Sequence, residues 1–177
     1  MHVNNKCNVE TGAGGDCGYS SVAYILNHTN LKYKPFNVEK LFQKYKDLLL
    51  HLSGLKLSEL KPLYAQGITT HVLRLVTAAS SQKQNVKNIL WNTQTSESWL
   101  DDTDIQALSN SLEVEIVVWD KKRILFSVCP KMIKGKRHVC QTKGTCLQTQ
   151  MHLLYKHHHF QALISQDECR ANHKNIQ

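Results

Sequence analysis

The spacing of apolar residues changes near residue 113 of this chain, and that change limits the folds open to it. Upstream, the period is helical. Tyr19, Val22, Ala23 and Leu26 fall at i, i+3, i+4 and i+7 and make one buried face. Val38, Leu41, Phe42, Tyr45, Leu48 and Leu49 repeat that spacing after Asn37, and shorter helices are expected over 58–66 and 70–79. A Thr-x-x-Gln box, Thr103 to Gln106, opens another helix with Ile105, Leu108 and Leu112 inward, and Asp101, Asp102 and Asp104 cap and complement its start. Downstream the signal is that of strands. Val114 to Trp119 is short and β-branched, Asp120-Lys121-Lys122 can turn, and 123–128 follows as a hairpin partner. Residues 151–155 and 160–164 read as two more strands across a short turn. Helices first and strands last predict an α+β, or compact α/β, domain with N-terminal helices packed on a mostly antiparallel sheet.

Composition narrows the class further. With 177 residues, 41% of them hydrophobic and only three prolines, the chain is neither disordered nor fibrous. Residues 1–165 are read as one domain and 166–177, poor in apolar residues, as a frayed tail. No apolar run approaches the roughly 20 residues of a membrane span, and the first residues hold no signal-peptide stretch. The net charge of +8 is scattered. Its densest stretch, 131–137, lacks aromatic residues, so nucleic-acid binding is not favoured. Six cysteines without a signal peptide lead to the expectation of free thiols in a reducing, cytoplasmic compartment.

One of those thiols stands apart. Cys17 follows three glycines and Asp16 and opens the first helical pattern. Asp16 can cap that helix, leaving Cys17 in the first turn, where unpaired N–H groups and the macrodipole favour a thiolate. The glycines let backbone N–H groups turn inward, as an oxyanion hole requires. A general base must come from elsewhere, and the candidates are His157, His158 and His159. Alternation along a strand lets only one of them point a given way, and His157 and His158 suit a solvated turn.

These residues carry a resemblance. Gly14-Gly15-Asp16-Cys17-Gly18-Tyr19-Ser20-Ser21-Val22 resembles the nucleophile segment of the ovarian-tumour (OTU) family of cysteine proteases. The stretch from Trp99 through Ala107-Leu108 to Trp119 resembles the family's middle block, and His159-Phe160-Gln161-Ala162-Leu163 its closing His-aromatic motif. The blocks occur in the family's order. The resemblance implies a papain-type fold and a thiol isopeptidase that removes ubiquitin or a ubiquitin-like modifier from lysine, with no cofactor. It implies Cys17 as nucleophile and His159 as base. Gln161 stands where the family often has an acidic or amide residue, and Gly14 replaces the usual acid, which moves to Asp16. Asp16, Asn8 and Gln161 are therefore all candidates to orient the imidazole. The short chain resembles compact viral members embedded in polyproteins most, with an intracellular bacterial effector as the other origin. This implies ubiquitin, interferon-induced modifiers and ubiquitinated host proteins as partners, in the host cytoplasm.

Two competing readings remain at this point. Another papain-like acyl hydrolase shares the Cys-then-His order. A non-catalytic basic module binding RNA or protein would use zinc on Cys129, Cys140, Cys146 and His152, although their spacing is looser than Cys-x₂₋₄-Cys knuckles.

Overall fold

A computed structural model describes residues 6–11, 17–29, 40, 43, 44, 46, 47, 50, 51, 54–59, 70, 73, 74, 76, 77, 100–133, 135–137 and 150–174. The elements are β1 (Lys6–Val9), α1 (Cys17–His28), α2 (Asp102–Leu112), β2 (Glu115–Asp120), β3 (Arg123–Val128), β4 (Met132–Ile133), β5 (Lys136–Arg137), β6 (Gln150–Lys156), β7 (His159–Ser165) and α3 (Gln166–Lys174). The helices expected over 37–49 and 58–66 lie largely outside the described residues. Within 70–79, Leu73, Arg74, Val76 and Thr77 are helical and buried.

Among the described residues, five strands form one sheet in the order β1-β7-β6-β2-β3, and β4 pairs with β5 separately. Every pairing in the large sheet is antiparallel except β2 with β6. The central strands explain the unbroken apolar run Ile116 to Trp119. Ile116 and Val118 face one cluster with Tyr19, Val22, Ile25, Ile105, Leu108, Met151, Leu153 and Ala162, while Val117 and Trp119 face Leu154 and Leu163 on the other side. A strand covered on both faces loses its polar alternation. Each fully buried aliphatic side chain in these layers contributes about 1.5–3 kcal/mol.

The turns and caps differ from expectation in instructive ways. α2 starts one residue before Thr103, because Asp101 caps it and Asp104 returns the bond: the Asp104 N–H donates to Asp101 Oδ1 at 2.8 Å and the Asp101 N–H to Asp104 Oδ2 at 3.1 Å. Two carboxylates at a helix N-terminus also complement its dipole, which a Thr/Gln pair cannot do. Gln106 instead spans to Asn110 and to the Cys129 carbonyl. Between β6 and β7 the turn is His157-His158, both in the left-handed region at φ 52° and 59°. That is the two-residue primed hairpin turn, which usually recruits Asn-Gly. The alternation expected of His158 thus does not apply, because it lies in the turn.

Gln166–Lys174 is helical, within a segment where a frayed tail was expected. Its Cys169 is buried and disulfide-bonded to Cys7 of β1, and Cys129 is also disulfide-bonded. The expectation of free thiols therefore fails for these three, and Cys17 is the free thiol among the described residues. Sequence spacing could not show that β1 and α3, from opposite ends of the described chain, sit side by side. No described helix is long and apolar enough to cross a membrane.

One buried polar pair carries a pH prediction. His152 on β6 is buried, and its Nδ1 accepts the Trp119 indole N–H at 3.0 Å. Burial, reinforced by the charge of Lys6, pushes the imidazole from 6.5 down to about 3. The unfolded chain therefore takes up this proton first. The stabilisation is complete above about pH 6.5 and is lost progressively as pH falls toward 3. At pH 5 the loss from this residue is about 2 kcal/mol. Urea unfolding at pH 7.5 and 5.0 should show it, and His152→Gln should remove that part of the difference. An unchanged pH response in the variant would mean His152 titrates normally in the fold.

Candidate active site

Cys17 is the first residue of α1 and is buried. Helix geometry brings its carbonyl under Ser21, whose hydroxyl donates to it at 2.7 Å. Ser21 also meets Thr11, immediately after Glu10, at 3.0 Å, so the chain leaving β1 is fastened to the cysteine's helix. Gly18 tightens the same corner. A Cβ there would lie 2.7 Å from the Leu100 Cβ, so the Cys-Gly step exists because Leu100 is packed against it. This contact joins two sequence blocks that are far apart in the chain.

The sulfur faces β7. The Phe160 N–H donates to Cys17 Sγ at 3.5 Å, which places the thiol beside the backbone next to His159 and gives developing charge on sulfur a donor. His159 opens β7, and its Nε2 lies 2.7 Å from Glu10 Oε1. Glu10 Oε2 accepts from Gln161 Nε2 at 2.8 Å, and Gln161 Oε1 accepts from Asn8 Nδ2 at 2.9 Å. With Nε2 held as a donor to the carboxylate, Nδ1 is the nitrogen left to exchange a proton. The site holds an imidazole bonded to a carboxylate and, at the next residue of β7, a thiol met by the Phe160 backbone N–H. It can do nucleophilic acyl chemistry.

The expected site residues fare differently. Cys17 and His159 lie at the same end of β7, where the Phe160 N–H meets the Cys17 sulfur. Gln161 and Asn8 are at the site, yet Gln161 donates to Glu10 and Asn8 donates to Gln161. Asp16 and the preceding glycines lie outside the described residues. Glu10 is the residue that sequence reasoning missed. Its signal is weak: an acidic side chain just past a four-residue strand, with no motif around it. Only the pairing of β1 with β7, Asn8 opposite Leu163 and Val9 opposite Ala162, brings it level with Gln161.

A metal centre finds little support in the described candidates. His152 spends Nδ1 on Trp119 and Cys129 is disulfide-bonded, while Cys140 and Cys146 lie outside the described residues. No group of three or more His, Cys, Asp or Glu among the described residues could hold a metal ion.

A family model described as OTU-like cysteine protease matches residues 12–160. The chain belongs to the OTU-like cysteine proteases. The match contains Cys17 and His159 and stops short of Glu10 on one side and Gln161 on the other. The OTU fold accounts for the α+β arrangement and its mixed sheet. Among solved structures, the chain is similar to the viral OTU domain protease from Dera Ghazi Khan virus, at 13% identity and TM-score 0.44, over 93% of this chain and 85% of that one. The viral OTU domain protease from Farallon virus matches at 15% identity and TM-score 0.42, over 94% and 89%. An OTU deubiquitinase from Wolbachia pipientis wMel matches at 13% identity and TM-score 0.48, over 98% and 97%. No curated protein matches significantly.

Proposed function

We propose that this OTU-like cysteine protease hydrolyses the isopeptide bond between the C-terminus of ubiquitin, or of a ubiquitin-like modifier, and a lysine side chain. The observation that carries the reading is Cys17 Sγ held at the Phe160 N–H while Glu10 fixes the neighbouring His159. In this reading Cys17 gives its proton to His159 Nδ1, and the thiolate attacks the isopeptide carbonyl carbon. The C–N bond then breaks, the imidazolium protonates the departing lysine amine, and a thioester remains. Water, deprotonated by the same imidazole, hydrolyses the thioester, releasing a carboxylate and regenerating the thiol. Each electron pair and proton is supplied by these groups and water, so the chemistry requires no cofactor.

The motif's resemblance to compact viral members supports a finer reading. The enzyme acts in the host cytoplasm on ubiquitinated host proteins and interferon-induced modifiers, countering innate immunity, and cleaves its own polyprotein. The deciding experiment is reaction with ubiquitin carrying a C-terminal electrophile. Covalent capture is expected at Cys17, absent in Cys17→Ala and strongly slowed in His159→Ala. A wild-type protein that stays unmodified by the ubiquitin probe but reacts with small acyl electrophiles at Cys17 would instead identify another papain-like acyl hydrolase.

A further inference from the structure

The glutamine two residues after His159 has no hydrogen bond to the imidazole, yet it closes a chain of side chains that ends there. Strand alternation puts Asn8 and Glu10 on one face of the β1 segment, and His159 and Gln161 on one face of β7. The pairing of β1 with β7 aligns these two rows, giving the sequence Asn8 to Gln161 to Glu10 to His159.

We infer that Gln161 and Asn8 form a positioning pair for the Glu10 carboxylate, in which Asn8 decides which end of the Gln161 amide meets Glu10. The inference rests on reading Cys17 and His159 as a thiol-protease centre. A primary amide has a donating and an accepting end, whereas an ionised carboxylate only accepts. The Asn8 amide donates to Gln161 Oε1, which leaves the Gln161 NH₂ directed at Glu10 Oε2. Turned around, the Gln161 oxygen would oppose the Glu10 oxygen and push the carboxylate off His159. Asn8, Glu10 and Gln161 contribute little to the core at this rim, so their arrangement serves the imidazole more than the fold.

The test is a steady-state comparison of Asn8→Ala, Gln161→Ala, their double variant and Asn8→Asp, using ubiquitin bearing a C-terminal fluorogenic amide. Melting temperatures are measured alongside, with Cys17→Ala and His159→Ala as references. Gln161→Ala should lower kcat about tenfold, the worth of one hydrogen bond to a charged group, with KM unchanged. Asn8→Ala should lower it about threefold, and the double variant should match Gln161→Ala, because Asn8 acts only through Gln161. Asn8→Asp should be worse than Asn8→Ala despite its closer shape, since an aspartate accepts the same NH₂ that Glu10 needs. Should the fluorogenic substrate not turn over, the rate of Cys17 alkylation by iodoacetamide replaces kcat throughout. Gln161→Ala within twofold of wild type, or additive losses in the double variant, overturns the positioning pair while inactive Cys17→Ala and His159→Ala keep the protease reading. Full activity in those two references overturns both.

Discussion

Glu10→Gln is expected to lower kcat about a hundredfold while leaving the melting temperature near that of the wild type. The substitution keeps the shape of the side chain and removes its charge. Glu10 holds His159 Nε2 at 2.7 Å, and that bond both selects the imidazole tautomer and stabilises the imidazolium formed during proton transfer. A glutamine can still accept from Nε2 through its oxygen, but it offers no charge and can equally present its NH₂. The loss of an orienting carboxylate in a fully buried triad can reach about 10⁴-fold. Here Glu10 is 54% exposed and His159 27%, so water screens the pair and the smaller figure applies. The measurement is kcat and KM for Glu10→Gln beside Gln161→Ala. If Gln161→Ala is the more damaged of the two, Gln161 rather than Glu10 is the group on which the imidazole depends.

A still larger effect is expected from His159→Ala, a loss of at least about 10³-fold in kcat, the general-base contribution lying at roughly 10²–10⁴. The neighbouring His157→Ala and His158→Ala should stay within about twofold of wild type. Both neighbours belong to the left-handed turn and are exposed, and His158 Nδ1 is 3.2 Å from the Tyr155 hydroxyl. To replace His159, either would have to break the Lys156–His159 end of the hairpin and pull Phe160 from its contact with Tyr155, where the rings lie 4.8 Å apart. An inactive His158→Ala with an active His159→Ala would show that the hairpin register is shifted by one residue.

How much of this was legible depends on whether the signal is local. α1 is visible because four apolar residues fall on one helical face and Cys17 starts it. The β2–β3 and β6–β7 hairpins are visible because two short apolar runs flank turn residues. The parallel pairing of β2 with β6 leaves no trace in either strand, since parallel neighbours need no shared turn. β1 is harder still. Its four residues, Lys6 to Val9, are too few for a period, and its position is fixed by backbone bonds to β7 and by Cys169. Glu10 inherits that obscurity. The α2 cap shifted by two residues, from Thr103 to Asp101, because both positions carry good capping side chains and only the surroundings decide between them.

The Glu10–His159 bond joins residues 149 positions apart. During synthesis at about 5–20 residues per second, roughly 7–30 s pass between the addition of one and of the other. Throughout that interval the growing chain carries Cys17 with neither a base beside it nor a strand for β1 to pair with. The half-made polypeptide therefore carries the cysteine without the rest of the site for the whole of that time. Proteolytic competence arrives only when the last strand of the sheet leaves the ribosome and the first closes on it.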